Sequence, residues 1–122
     1  MILDSNIIIY STQPENEFLR EFIAENSPSV SAVSYVEVLG YHGLSDEEKE
    51  LFEDFFDSTE ILPISEEVIA KAIELRQKKK MTLGDSLIAA TALVNKLVLI
   101  TNNTKDFDWI EELEIINPLE NK

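Results

Sequence analysis

The stretch Met1-Ile2-Leu3-Asp4-Ser5-Asn6-Ile7-Ile8-Ile9-Tyr10 decides how the rest of the chain is read. A short apolar run meets the polar triplet Asp4-Ser5-Asn6 and then resumes as Ile7 to Tyr10. This is either one long strand interrupted by the triplet, or a strand, a turn and a short helix. The second reading is favoured, because Asp4 or Ser5 can act as an N-cap for the exposed N–H groups of a first helical turn. Met1 to Leu3 is then a buried central strand that delivers Asp4 to its C-terminal end. Open α/β sheets bind ligands at that edge.

Working outward, strand and helix patterns alternate to the end of the chain. Glu17 to Asn26 places Phe18, Leu19, Phe22 and Ile23 on one helical stripe. Ser29 to Ala32 predicts a short strand, followed by a helical pattern through Val33, Val36 and Leu39 that carries Glu37. Ser45-Asp46-Glu47-Glu48 has the capping-box spacing and opens a helix bearing Leu51, Phe52, Phe55 and Phe56. That aromatic stripe is expected to be core, with a partly exposed interface as the other reading. Thr59 to Ile64 predicts a strand. Ser65 then caps a helix with Glu66 and Glu67 in its first turn and Lys78-Lys79-Lys80 at its end, a charge order that suits the helix dipole. Met81 to Gly84 is expected to be a loop, and Asp85 to open a helix that is apolar nearly all round. Leu97 to Ile100 is the clearest buried strand. A polar loop from Thr101 to Phe107, a helical turn from Trp109 to Leu113 and a last strand from Glu114 to Pro118 complete the chain. The alternation predicts a three-layer α/β/α sandwich on a mainly parallel sheet, formed by a single domain over residues 1–122.

Composition narrows the function classes. The chain has 122 residues, 44% of them hydrophobic, and no cysteine. Disulfides, thiolate metal sites and a cysteine nucleophile are therefore excluded. No apolar run approaches the roughly 20 residues of a membrane span, and no secretory pattern opens the chain. A soluble cytoplasmic protein with no membrane contact is the expectation. The net charge of −14 counts against a nucleic-acid partner, and favours a basic protein partner or bound cations. Carboxylates gathered around a metal would account for part of the excess.

Several polar residues sit where apolar neighbours make them conspicuous. Asp4 lies between Leu3 and Ile7, Glu37 within Val33 to Leu39, and Asp85 at the start of the most hydrophobic helix. Asn103 and Asp106 follow the most hydrophobic strand. Each has a local reading as a cap, a solvated face or a turn former. Buried carboxylates, however, are normally paired or bound to a cation, and oxygen ligands of this kind suit Mg²⁺ or Mn²⁺. In a parallel sheet, loops after separate strands open on one edge, where these residues can meet. The single histidine, His42, has no triad-like neighbours. The basic cluster Arg76 to Lys80 is explained by a helix C-terminus, with a phosphate-contacting rim as its functional alternative. Three glycines are too few for a phosphate loop.

Four segments resemble one family in order. Leu3-Asp4-Ser5-Asn6 resembles the opening of PIN-domain ribonucleases, and Ser31 to Val38 their strand-to-helix segment with its Glu. Leu83-Gly84-Asp85-Ser86-Leu87-Ile88-Ala89-Ala90-Thr91-Ala92 resembles their Asp-x-x-Ile-Ala-Ala-Thr-Ala helix. Leu99 to Phe107 resembles their last strand and loop, and Ile116-Asn117-Pro118 their terminus. The resemblance is nearest to VapC-type toxins. It implies a metal-dependent endoribonuclease acting on RNA, a cognate antitoxin that places a basic segment in the acidic groove, and a homodimer. Asp4, Glu37 and Asp85 match the core acidic set. Asn103 and Asp106 match a fourth position and a further acid, and Asn103 supplies one acid fewer than some members have. Gly84 stands where the family often has Pro or Ala, a departure expected to be harmless.

On this reading Asp4 and Asp85 ligate Mg²⁺ or Mn²⁺, Glu37 with Asn103 or Asp106 holds waters, and Ser5 and Thr101 orient the ligands. A phosphoacceptor receiver domain needs an acidic pair that Asp4 lacks. A haloacid-dehalogenase-like phosphatase needs Asp-x-Asp where Asp4-Ser5-Asn6 stands. The remaining alternative is a catalytically weak or inactive acidic binding module with a basic protein partner.

Overall fold

The apolar run at the start of the chain becomes a two-residue strand, β1 (Ile2–Leu3), with both side chains fully buried. Helix α1 (Ser5–Ser11) follows at once, so Asp4 turns the corner between them. A single 3-10 turn at Pro14–Asn16 leads into α2 (Glu17–Asn26). The order continues as β2 (Ser29–Ser31), α3 (Ala32–Leu39), α4 (Asp46–Asp57), β3 (Ile61–Leu62), α5 (Glu66–Lys78), α6 (Leu83–Val94), β4 (Leu99–Ile100), α7 (Thr104–Phe107) and β5 (Ile115–Ile116). This computed structural model describes residues 1–120. The expected domain limit at Lys122 therefore lies outside the described residues.

The sheet has the order β3-β2-β1-β4-β5, and every pairing in it is parallel. The chain moves outward from β1 through β2 to β3, then returns across β1 to lay down β4 and β5. The strand order reverses on either side of β1, and a crevice opens at such a point outside the carboxyl ends of the strands. Leu3 is in register with Ile100, so the residues that leave this crevice are Asp4 and Thr101.

Alternation within the strands divides the core between the two faces of the sheet. Ile2 and Leu99 point to one face, where Val68 and Leu75 of α5, Ile88 and Ala89 of α6 and Phe107 pack. Leu3, Val30 and Ile100 point to the other, against Ile7 and Ile8 of α1, Leu19 of α2, Val38 of α3 and Phe52 and Phe56 of α4. The aromatic stripe of α4 is thus core at Phe52 and Phe56, and Tyr35 stacks on Phe56 at 4.8 Å. The capping box at Ser45 is formed in both directions, with Glu48 N–H donating to Ser45 Oγ and Ser45 N–H to Glu48 Oε1.

Three expectations are corrected. Asp85 does not open its helix: Thr82 is the N-cap and accepts from Asp85 N–H at 3.1 Å, so α6 begins at Leu83 within the expected loop. The polar segment after β4 is not all loop, because Thr104–Phe107 closes a helical turn pinned by fully buried Phe107. Trp109 to Leu113 forms hydrogen-bonded turns instead of a helix, with Ile110 N–H on Phe107 and Leu113 N–H on Ile110. Among the described residues, no helix is long and apolar enough to cross a membrane.

Candidate active site

Asp4 stands at the N-cap position of α1, yet its side chain makes no capping hydrogen bond. The carboxylate turns into the crevice instead, where only 3% of the residue is exposed. Asp4 N–H donates to the Ile100 carbonyl at 2.9 Å, which ties the corner to the end of β4. Thr101, fully buried just beyond that strand, donates from Oγ1 to Asp4 Oδ2 at 2.7 Å. The same hydroxyl accepts from Asn103 N–H at 3.0 Å, so one threonine fixes both the acid and the start of the loop. Burial pushes the Asp4 carboxyl up to about 6. The Thr101 hydrogen bond opposes that rise, as does one from the Ser5 backbone, and the charges of Asp85 and Glu37 add to it.

Glu37 reaches the crevice from the side. Helix α3 buries Ser34 and Val38 but leaves Val36 71% exposed, and Glu37 is itself exposed. The apolar run Val33 to Leu39 is therefore amphipathic, and its acid lies on the border of the buried stripe. Ser5 Oγ donates to Glu37 Oε1 at 2.7 Å and lies 2.9 Å from Ser34 Oγ. A serine has one hydroxyl proton. With that proton given to the carboxylate, Ser34 donates in turn to Ser5. Gly84 closes the other side: a Cβ there would stand 2.5 Å from Glu37 Oε2. The glycine expected to be a harmless departure is in fact the surface against which Glu37 rests.

Asp85 is half-buried in the first turn of α6. Burial raises its pKa, the Asp106 charge raises it further, the Thr82 hydrogen bond opposes this, and Glu37 adds to the rise. Asp106 is exposed on α7, and Asn103 sits at that helix's N-cap position without a side-chain capping bond. Asn102 Oδ1, between Thr101 and Asn103, is buried with no hydrogen-bond partner. Acids from four separate elements are thus linked through Asp85 and Glu37: both act on Asp4, and Glu37 and Asp106 act on Asp85. The donors are all hard oxygens, and both raised pKa values mark carboxylates that a cation would relieve. By donor chemistry the set fits a divalent ion. Among the described residues, no group of three acidic or histidine side chains stands close enough to enclose one.

Beside the acids runs a cleft of about 400 Å³ whose walls include Asp85, Asp106, Lys79, Lys80, Lys105 and Trp109. Lys79 Nζ lies over the indole of Trp109, 5.6 Å from its centroid.

The sequence profile of the PIN domain matches residues 1–113. The chain belongs to the PIN-domain family. Ribonuclease VapC of Rickettsia bellii is 47% identical over 51 residues, which span 40% of this chain and 38% of that relative. Similar solved structures include a toxin–antitoxin complex from Klebsiella pneumoniae, 27% identical over 96% of both chains with a TM-score of 0.77. Another is VapBC-1 from nontypeable Haemophilus influenzae, 25% identical over 95% of this chain and 96% of that one, with a TM-score of 0.78. DNA-bound VapBC from Salmonella typhimurium shares the fold at a TM-score of 0.83 and 22% identity, over 94% and 95% of the two chains.

In this PIN domain the crevice at the strand reversal gathers Asp4, Glu37 and Asp85, with Asp106 at its rim. Ser5 and Thr101 touch two of those acids directly. Asn103 meets the group only through its backbone N–H on Thr101. Ser34, Thr82 and Asn102 were not anticipated. Ser34 precedes Glu37 by three residues, the spacing of helical neighbours, which was the available signal. Thr82 precedes Asp85 by the same interval.

Proposed function

We propose that this PIN domain is a divalent-metal-dependent endoribonuclease that cleaves RNA phosphodiester bonds and is neutralised by a cognate antitoxin. The observation that carries this reading is the burial of Asp4 at the strand reversal, coupled to Asp85 and Glu37. Mg²⁺ or Mn²⁺ would be held by Asp4 and Asp85, with Glu37 next to them. The bound cation would supply positive charge against the phosphate and lower the pKa of an attacking water. Thr101 keeps Asp4 Oδ2 turned inward, and Ser5 keeps Glu37 Oε1 against the site. Glu37 with Asn103 or Asp106 orders water at the mouth. Without a cation, the carboxylates repel a phosphate placed among them, so seating of the scissile phosphate at the acids depends on the metal.

The same acidity suits a basic antitoxin segment, consistent with the toxin–antitoxin complexes among the structural relatives. Self-association as a homodimer in the cytoplasm belongs to this reading. Purified protein with Mn²⁺ should cleave single-stranded RNA, and Asp4→Asn or Asp85→Asn should abolish both cleavage and Mn²⁺ binding measured by calorimetry. Undiminished cleavage by the folded double variant would overturn the assignment. A second reading, an acidic binding module with little or no catalysis, is favoured by Asn103 and by the lack, among the described residues, of an enclosing trio of acids. It predicts binding of basic peptide with no cleavage at any Mn²⁺ concentration.

A further inference from the structure

Four of the ten basic residues of this acidic chain, Arg76, Lys78, Lys79 and Lys80, end α5, and a fifth, Lys105, lies in α7. Lys79 and Lys105 are 26 positions apart in sequence, yet with Lys80 they line one cleft, which also contains the chain's single tryptophan. The charge order along α5 explains why lysines end that helix. It does not explain why Lys105, on another element, joins Lys79 and Lys80, or why a half-buried indole shares the cleft's walls with the lysines, Asp85 and Asp106. A volume of about 400 Å³ falls in the range of about 300–1,000 Å³ typical of small-ligand sites.

Resting on the nuclease reading above, we infer that this cleft is a nucleotide subsite beside the acidic centre. It holds one unpaired base of single-stranded RNA against Trp109, with Lys79, Lys80 and Lys105 on the neighbouring phosphates. Aromatic walls flanked by cations form the general chemistry of single-strand binding. The base must be unpaired, because a duplex keeps its base faces stacked and presents only backbone and groove edges. Lys79 over the ring holds the place in the free protein. Its cation–π contact is weaker than base–aromatic stacking, so an entering base displaces it and leaves the ammonium beside the phosphate. The subsite also answers the charge objection to RNA. The strand approaches over lysines on this flank and crosses the acids only at the scissile position. A basic protein segment is disfavoured here by the same three lysines.

Trp109, as the only tryptophan, reports on its own site. The probe is a mixed-sequence single-stranded hexaribonucleotide titrated into the full chain in EDTA at low salt, so that nothing is cleaved. Saturable quenching of tryptophan emission is expected, with no comparable quenching by a duplex of the same sequence. In a filter-binding assay, Trp109→Phe should bind within about threefold of the parent and Trp109→Ala about tenfold more weakly. The exposed-residue variant Lys79→Ala/Lys80→Ala/Lys105→Ala leaves the core untouched. It should lower the slope of log affinity against log salt by about 2, at about 0.7 per phosphate contact. The inference is overturned if RNA does not bind, if bound RNA leaves the emission unchanged, if duplex quenches equally, or if an oligo-arginine peptide quenches and RNA does not. Cleavage in Mn²⁺ with an unchanged KM in Trp109→Ala would remove the subsite and leave the nuclease. Quenching by single strands without cleavage in Mn²⁺ would remove the nuclease and leave the subsite.

Discussion

Replacing Asp4 with Asn separates the cost of burying this carboxylate from the use made of it. The substitution keeps the shape, and the amide oxygen still accepts the Thr101 hydroxyl. In the folded chain the Asp4 carboxyl titrates near 6, against 3.8 for the free side chain. That difference of about 2 units corresponds to about 3 kcal/mol at about 1.4 kcal/mol per unit. Between about pH 4 and 6 the folded state holds a proton that the unfolded state has released. Stability therefore falls as pH rises through that window and levels off above it. Asn has no proton to lose, so the variant lacks this slope. In EDTA, Asp4→Asn should be more stable than the parent by up to about 3 kcal/mol at pH 7.5, and by little at pH 4. Contributions from Asp85 are present in both proteins and largely cancel in the difference. Urea unfolding at pH 4, 5, 6 and 7.5 measures the gap. A gap that does not change with pH, or a variant less stable than the parent at pH 7.5, would refute the reasoning. Mn²⁺ at one hundred times its dissociation constant should restore about 2.7 kcal/mol to the parent and nothing to the variant.

Thr101→Val removes the donor to Asp4 and the acceptor for Asn103 N–H. It should cost about 1.5–3 kcal/mol in urea unfolding, with the larger loss above pH 6, where Asp4 is ionised. Ser5→Ala should cost no more than about 1.5 kcal/mol while lowering Mn²⁺-dependent RNA cleavage about tenfold or more, because Glu37 loses its anchor. Gly84→Ala should raise stability by about 0.4–1 kcal/mol, since no glycine here has a positive φ. It should also reduce cleavage, because the new methyl group displaces Glu37 Oε2; unchanged cleavage would show that Glu37 works equally well elsewhere. Ser45→Ala breaks the capping box, should lower stability by about 0.5–2 kcal/mol, and should leave cleavage untouched.

The elements that the sequence made legible are those whose signal is local and repeated. The stripe Phe18, Leu19, Phe22, Ile23 located α2 at Glu17–Asn26 to the residue, and Ser65 with Glu66 and Glu67 located the start of α5. The start of α6 was missed because Gly84 reads as a loop residue, although Thr82 and Asp85 carry the cap-to-third-residue spacing that was recognised at Ser45 and Glu48. Asp4 and Asp85 stood out because one follows a strand and the other lies in the first turn of a helix, and Glu37 because it interrupts an apolar run; parallel strands bring the ends of separate elements to one edge. What remained illegible depends on side-chain direction. No pattern in the sequence says that Asp4 declines its capping role, that Val36 faces solvent, or that Lys105 comes across to Lys79.

The net charge of −14 illustrates why a total is a poor guide to a site. Helix α4 alone carries seven acidic residues among its twelve, all of them exposed. It packs through Phe52 and Phe56 on the face of the sheet opposite to the one that Trp109 packs against. Exposed charges are screened over about 8 Å at physiological ionic strength, so that this part of the excess has little influence on the cleft. The local balance there is different. Lys79, Lys80 and Lys105 outnumber Asp85 and Asp106 along its walls, and one divalent cation between Asp4 and Asp85 would cancel the two carboxylates that hold it. An acidic protein can therefore present a neutral or positive path to a polyanion, provided that its basic residues are gathered where the path runs. Three of the ten in this chain line that cleft.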